Sequence, residues 1–184
     1  MLILKSGSPR RISIFRDIGL RFQVSPSSID ESVLPEEDCM EYLKRITIAK
    51  LESINATYSQ TLVSSDTIVV WENKIFPKPL NFQTAKNTLM ELNGKTHQVY
   101  SGLGIFKQGN LYFDLDKTFV ELKKWSIEEI ENYIKVTNPL DKAGSYGIQD
   151  KCSPVLSFQG SFSNVLGFPF RTFLKYHSLW SEFL

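Results

Sequence analysis

Cysteine and histidine are scarce in this sequence. Its 184 residues include only two cysteines, Cys39 and Cys152, and two histidines, His97 and His177. Neither cysteine belongs to a Cys-x-x-Cys pair, so we expect no structural zinc site. Two cysteines also make no disulfide framework, and a reducing cytoplasm is therefore the expected location.

A strong charge of one sign and long apolar runs are also missing. The formal net charge is +1. Nucleic-acid-binding domains usually have a clear basic excess, so we expect no nucleic-acid partner. No run approaches the roughly 18 apolar residues of a membrane span. Residues 1–5 are too short an apolar run for a signal peptide, and we expect no membrane partner.

What the chain does have is enough apolar residues for a core, at 42% of the sequence. Its length is typical of one domain, so residues 1–184 are predicted to form a single domain with two lobes. Strand-like and helix-like segments mix along the chain, with hairpin signals in the second half. These patterns predict an α/β or α+β class with a mixed central sheet flanked by helices.

Local patterns place the individual elements. Strands are predicted at 2–4, 22–24, 62–71 (interrupted at 64–66), 96–122 with a turn at 108–110, and 155–158. Helices are predicted from a Ser8 cap to a stop at Gly19, at 36–58, at 84–92, after a Ser126 cap, and from 170 toward the C-terminus.

The first segment with chemical potential is Ser-Gly-Ser-Pro-Arg-Arg at 6–11, between the first strand and the first helix. A small-residue loop before a helix N-terminus presents backbone N–H groups and a partial positive charge, which favour anion binding. Arg10 and Arg11 follow at once, and arginine binds phosphate oxygens bidentately. An ordinary loop with solvated arginines stays open, because the segment lacks P-loop spacing.

A lysine interrupts the apolar face of the second predicted helix. Lys50 lies seven positions after Leu43 and four before Ile54, on the face that the amphipathic pattern reserves for apolar residues. It is therefore a candidate functional residue. The alternative is a lysine that extends along the apolar face and keeps its ammonium in water.

Acidic residues and a second lysine complete the candidates in the first half. Asp66 lies beside an apolar strand, where a carboxylate is costly unless it is paired or bound to a cation. Glu31 and Asp30 are its candidate partners for a hard cation such as Mg²⁺. Lys78 lies between two prolines on a stiff segment. The alternatives are a turn-forming aspartate and a solvated loop lysine.

The loop at 141–149, Asp-Lys-Ala-Gly-Ser-Tyr-Gly-Ile-Gln, is the fourth candidate. Its two glycines permit close backbone approach of a ligand. Gln149 carries both a donor and an acceptor, which suit the edge of a nucleobase. A flexible surface loop is the alternative.

Taken together and in this order, these segments resemble the Maf-like nucleoside triphosphate pyrophosphatases over nearly the whole chain. The resemblance implies the fold of that family and of the ITPase-like proteins, with two lobes around a cleft. The matching blocks are the opening at 6–11, Asp30-Glu31, Lys50, Asp66-Thr67, Lys78-Pro79, the loop at 141–149, and Asn-Val-Leu-Gly-Phe-Pro at 164–169.

The resemblance implies a reaction and roles for individual residues. Water would attack the α-phosphorus of a nucleoside triphosphate, giving a monophosphate and pyrophosphate, with a divalent metal cation (Mg²⁺ or Mn²⁺) as cofactor. Asp66 would accept the proton of the water and Glu31 would help to bind metal. The triphosphate would be bound by Ser6, Arg10, Lys50 and Lys78.

Substrate preference and assembly are also implied. Arg11, Thr67 and Gln149 match positions linked to base specificity, and the Tyr-Gly-Ile-Gln form of the loop resembles the subgroup acting on dTTP and UTP. A preference for 7-methyl-GTP or another purine nucleotide, and a cell-division regulator with little turnover, are the alternatives. A homodimer is expected. Departures from the pattern, such as Lys5 and Pro77 at positions that are usually smaller, leave the implied catalytic residues intact.

Overall fold

The computed structural model describes residues 1–52 and 59–184. Its strands are β1 (Leu2–Leu4), β2 (Phe22–Val24), β3 (Thr61–Trp71), β4 (Lys74–Phe76), β5 (Thr96–Lys107), β6 (Asn110–Leu122) and β7 (Val155–Gln159). Its helices are α1 (Pro9–Asp17), α2 (Cys39–Glu52), α3 (Phe82–Leu92), α4 (Ile127–Thr137), α5 (Phe162–Leu166), α6 (Phe170–Lys175) and α7 (His177–Trp180).

The seven strands form one mixed sheet, which confirms the predicted class. Their order is β2-β1-β3-β5-β6-β7, and β4 pairs with β3. Strand β1 is parallel to both β2 and β3, with Leu4 opposite Val24 on one side and Val63 on the other. Strands β3 and β4, and strands β6 and β7, are antiparallel.

The chain divides into two compact units. Unit 1 comprises Met1–Asp66, Ser101–Asp116 and Gly167–Leu184, and unit 2 comprises Thr67–Tyr100 and Lys117–Leu166. Each unit has an apolar cluster of its own.

Unit 1 is built around Phe15 of α1, which is fully buried. The rings of Phe168 and Phe173 lie within 5.4 Å of it, and Trp180 stacks on Phe173 at 4.3 Å. Aromatic pairs of this kind add to the free energy gained by area burial alone. The C-terminal helices therefore hold α1, and with it the turn that precedes α1.

Helix α2 of unit 1 lies very close to strand β5. A Cβ at Gly102 would lie 2.5 Å from Thr47 Oγ1, and a Cβ at Gly104 would lie 2.6 Å from Ser64 Oγ and 2.9 Å from Leu51. Real side chains would therefore force the helix away from the sheet. These two glycines allow α2 to approach β3 closely enough for side chains of the two elements to pair.

Unit 2 packs α3 and α4 against its own part of the sheet. Its core includes Leu89 of α3, Val99 of β5 and Tyr133 of α4, all at most 2% exposed. The predicted cap of α4 is confirmed, because Ser126 and Glu129 form a reciprocal capping box.

Three details of the predicted elements were wrong. Strand β3 runs without interruption through 64–66, because the side chains of Ser64 and Asp66 meet partners on α2. Helix α2 begins at Cys39 and not at 36, since Glu36 has the left-handed φ of +61°. The end of this predicted helix, with Ile54, lies outside the described residues. The C-terminal helix is broken into α6 and α7, and α5 precedes them.

The start of α1 agrees with the prediction in position but not in detail. Ser8 is the N-cap residue, Pro9 is the first helical residue, and Gly19 follows the helix with a φ of +81°. Within the described residues, however, the Ser8 hydroxyl caps no backbone N–H. Among the helices of residues 1–52 and 59–184, none has the length and apolar character needed to cross a membrane.

Candidate functional site

Two carboxylates converge on the ammonium of Lys50 in unit 1. Lys50 Nζ lies 2.5 Å from Asp66 Oδ1 and 2.9 Å from Glu31 Oε1. The side chains of Lys50 and Asp66 are only 8% and 10% exposed, whereas that of Glu31 is 42% exposed. The ammonium of Lys50 is thus buried and paired, and the alternative of a lysine extending to solvent is wrong.

Helix α2 and strand β3 are joined by hydrogen bonds at two points. Ser64 Oγ donates to the Thr47 carbonyl at 2.7 Å. Asp66, two residues further along the same face of β3, meets Lys50, three residues further along α2. Asp66 is therefore an interior strand residue, which overturns the alternative of a turn-forming aspartate.

Glu31 reaches this pair from an exposed loop, and Tyr42 of α2 holds the loop. The Tyr42 hydroxyl donates to the Glu31 backbone carbonyl at 2.9 Å. Burial, together with the negative charges of Asp66 and Glu31, raises the pKa of Tyr42 to about 12. Asp30 behaves differently from its neighbour, because its carboxylate accepts the backbone N–H of Ser32 at 2.9 Å.

The turn at 6–11 is organised around the Ser6 hydroxyl, which is nearly buried. Ser6 Oγ accepts the backbone N–H of Ser8 and an Arg11 Nη1–H, both at 3.2 Å. Arg11 also donates from Nε to the Gly167 carbonyl at 2.7 Å. The matching block at 164–169 thus contributes a carbonyl that fixes Arg11.

Arg10 and Arg11, predicted to act differently, also differ in burial. Arg11 is 9% exposed, whereas Arg10 is partly exposed at the start of α1. Burial lowers the pKa of Arg11 below its ordinary value, while the charges of Asp66 and Glu31 oppose that shift and the charge of Arg10 reinforces it. Arg10, Arg11 and the two carboxylates therefore lie close enough to interact, in one region of unit 1.

The other predicted site residues, Thr67, Lys78 and Gln149, belong to unit 2. Thr67 follows Asp66 directly in β3 and is partly buried. Lys78 is exposed on the segment that follows β4. Gln149 is exposed in a turn that follows two short 3-10 segments, Pro139–Asp141 and Ala143–Ser145. Their predicted roles stay predictions.

The donor set of unit 1 fits a divalent cation in part. Mg²⁺ in proteins is usually held by one or two carboxylates, with waters and substrate phosphates as further ligands. Asp66 and Glu31 supply two such carboxylates close to one point. The described residues contain no group of three or more His, Cys, Asp or Glu side chains arranged for a metal. A bound cation would therefore need phosphate or water oxygens as well.

Unit 1 thus carries a carboxylate pair, a buried lysine and an arginine-bearing turn within an α/β fold. A family model described as Maf-like protein matches residues 1–178. The chain belongs to the Maf family.

Curated relatives match the chain over its whole length. It is 47% identical to the dTTP/UTP pyrophosphatase of Leptospira borgpetersenii, over 100% of this chain and 98% of that protein. It is 48% identical to the dTTP/UTP pyrophosphatase of Leptospira interrogans, over 100% of this chain and 97% of that protein. A solved structure, the Staphylococcus aureus Ham1 protein, aligns with a TM-score of 0.46 and 12% identity over 66% of this chain and 71% of that chain.

Sequence reasoning missed the residues that hold the site together. Tyr42 lies next to an apolar stripe and has the pattern of an ordinary core aromatic. Gly102 and Gly104 alternate in a strand pattern, and glycines inside a strand are a known signal of close backbone approach. That signal could have identified the surface on which α2 packs.

Proposed function

We propose that this chain is a nucleoside triphosphate pyrophosphatase that acts on dTTP and UTP. The proposal is supported by the names of similar proteins and by the geometry of the site. Relatives at 47% and 48% identity, aligned over the full chain, carry the name dTTP/UTP pyrophosphatase. The observation that carries the chemistry is the buried Lys50–Asp66 pair with Glu31 beside it.

In this proposal Asp66 is the general base. Water attacks the α-phosphorus, and Asp66 accepts the proton that the water loses. The bond from the α-phosphorus to the α–β bridging oxygen breaks, and pyrophosphate leaves with the bonding electrons. The Lys50 ammonium orients the Asp66 carboxylate in the resting protein and offsets negative charge on the phosphates.

The cation-rich turn holds the triphosphate. Arg10 is the partly exposed arginine of the turn and is assigned to the phosphates, with Ser6 and Lys78 as further ligands. Arg11 already binds the Gly167 carbonyl and the Ser6 hydroxyl. We therefore assign it first to shaping the turn, and its part in base selection, with Thr67 and Gln149, is a further element of the proposal.

A divalent metal ion, Mg²⁺ or Mn²⁺, is part of the proposal. Asp66 and Glu31 would hold it, together with phosphate oxygens of the substrate. When bound, such an ion polarises the phosphoryl oxygens and lowers the pKa of a bound water. Tyr42 keeps the Glu31 segment in place for this role.

A substrate panel tests the function. The purified protein is incubated with Mg²⁺ and with dTTP, UTP, dCTP, dATP, dGTP and 7-methyl-GTP, and pyrophosphate release is measured for each. Fastest turnover of dTTP and UTP is expected. Preference for 7-methyl-GTP would replace the pyrimidine assignment, and nucleotide binding without release from any substrate would favour a regulator with little turnover.

We also propose a homodimer in the cytoplasm as the working form. Light scattering after size-exclusion chromatography measures the mass in solution, for which twice the 21.1 kDa of one chain is expected. Fractionation of the source cells tests the location. A monomer at all concentrations, or recovery with membranes, would contradict these assignments.

A further inference from the structure

The hydroxyl of Tyr133 joins two points of the turn that carries Gln149. Tyr133 is a buried residue of α4 whose ring packs on Trp125. Its hydroxyl accepts the backbone N–H of Gly147 at 2.9 Å and donates to Asp150 Oδ2 at 2.5 Å. Burial, and then the bond to Asp150, raise the pKa of this hydroxyl above its ordinary value, so it keeps its proton at neutral pH.

Ser153 forms hydrogen bonds with the backbone carbonyls at both ends of the segment 147–150. Its hydroxyl donates to the Gly147 carbonyl at 2.8 Å, and its backbone N–H donates to the Asp150 carbonyl at 2.9 Å. The Asp150 carboxylate lies so close to Gly147 that a Cβ there would be 2.8 Å from both carboxylate oxygens. Both ends of the segment 147–150 are therefore fixed, and Gln149 lies between them.

A fixed backbone matters because a glutamine side chain alone selects poorly between pyrimidines. Its carboxamide accepts through one atom and donates through the other, and rotation exchanges the two. Thymine and uracil present an acceptor at O4, whereas cytosine presents a donor at N4. A mobile Gln149 would adapt to both patterns, and a Gln149 held at both flanks has fewer ways to do so.

We infer that Tyr133 and Asp150 are positioning residues that set pyrimidine selectivity by fixing the turn that carries Gln149. The inference rests on the proposed function for its substrate class. It needs no contact between these two side chains and the nucleotide. The Tyr133 hydroxyl and the Asp150 carboxylate have no other role in the proposed chemistry.

Two variants and one control test it. Tyr133→Phe keeps the ring and removes both hydrogen bonds of the hydroxyl, and Asp150→Ala removes the other half of the pair without altering the core. Tyr100→Phe is the control, since this partly buried tyrosine of the same unit contacts Lys117. For each protein, dissociation constants of the α,β-imido analogues of dTTP and dCTP are measured, and kcat and KM of dTTP in parallel.

The loss of one or two hydrogen bonds sets the expected size of the effect. The preference for the dTTP analogue falls roughly tenfold in both variants, and kcat for dTTP stays within about twofold of the unmodified protein. Tyr100→Phe keeps the full preference. Binding by Asp150→Ala decides the matter where Tyr133→Phe fails to fold.

The outcomes separate this inference from the proposed function. If the protein hydrolyses dTTP but both variants keep their selectivity, the inference is overturned and the function stands. If it binds the analogues selectively without any turnover, and the variants lose that selectivity, the function fails and the inference is supported. Equal binding of both analogues by the unmodified protein overturns the inference in either case.

Discussion

Lys50 Nζ lies 2.5 Å from Asp66 Oδ1, with the side chains of both residues at most 10% exposed. The same ammonium is 2.9 Å from Glu31 Oε1. One positive charge therefore pairs with two carboxylates and offsets part of their mutual repulsion. This relationship gives the proposed base its orientation.

Asp66→Asn should abolish turnover and preserve the fold. Asparagine keeps the shape of aspartate but cannot accept the proton of the attacking water, and loss of a general base costs roughly 10²–10⁴-fold in rate. Pyrophosphate release and circular dichroism measure the two effects. Asp116→Asn is the matched control, because Asp116 is a buried carboxylate of the same unit that pairs with Arg171. Near-normal rates in Asp66→Asn would remove Asp66 as the base.

Lys50→Met should lower the free energy of unfolding by about 3 kcal/mol, because removing one partner of a buried ion pair leaves an uncompensated buried charge. Urea denaturation near neutral pH measures the loss. The double variant Lys50→Met/Asp66→Asn should regain most of it, since the buried carboxylate is then gone and the remaining one, Glu31, is 42% exposed. Lys44→Met, at an exposed position on the same helix, should be nearly neutral. An unchanged stability of Lys50→Met would show that the pair is not formed in solution.

Tyr42→Phe should raise the Mg²⁺ concentration needed for half-maximal activity, by roughly threefold to tenfold for one lost hydrogen bond to the Glu31 segment. The pKa of Tyr42 is raised to about 12, so its hydroxyl stays protonated and the effect should be constant from about pH 7 to 10. Tyr112→Phe, a partly buried tyrosine that contacts Tyr176, is the control. The same Mg²⁺ dependence in Tyr42→Phe and the unmodified protein would contradict the proposed role of Glu31.

His97 should make unit 2 sensitive to acid. It is fully buried beside the Tyr146 hydroxyl, 2.7 Å from Nε2, and burial lowers its pKa from 6.5 to about 4. Because the pKa of His97 is lower in the folded protein than in the unfolded chain, neutral His97 stabilises the fold fully above pH 6.5. This stabilisation is lost as the pH falls from 6.5 through about 4.

The shift of His97 corresponds to about 3 kcal/mol. The free energy of unfolding measured across this pH range should fall less steeply in His97→Gln than in the unmodified protein. His177→Gln removes the exposed histidine and should keep the full slope. Parallel curves for all three proteins would show that His97 does not titrate in this way.

The sequence predicted those elements whose signals are local. The buried strand β1, the proline-started α1 and the Ser126 capping box of α4 each follow from neighbouring residues. Elements that depend on distant partners were mispredicted. By itself, Ser64 indicates an interruption of the strand. In the structure its hydroxyl donates a hydrogen bond to the Thr47 carbonyl, and the strand continues. Helix α5 was missed because Asn164 is stabilised there by the Val99 carbonyl and the Thr118 hydroxyl, both distant in sequence.

The same limit applies to the candidate site. The ordered motifs were enough to select Lys50, Asp66 and Glu31, and unit 1 brings these three together. Their mutual distances depend on how closely α2 approaches the sheet, which two glycines of β5 decide. The hydrogen bonds of Tyr133 that fix the segment 147–150 were also beyond local patterns. Tyr133 and Asp150 belong to different elements and meet only in the folded unit.

The central claim is hydrolysis at the α-phosphorus of dTTP, and an oxygen-isotope experiment tests it most directly. The protein is incubated with dTTP and Mg²⁺ in water enriched in ¹⁸O, and the products are separated and analysed by mass spectrometry. We expect equal amounts of dTMP and pyrophosphate, with the label in dTMP alone. Formation of dTDP and orthophosphate, label in the pyrophosphate, or no turnover would contradict the account.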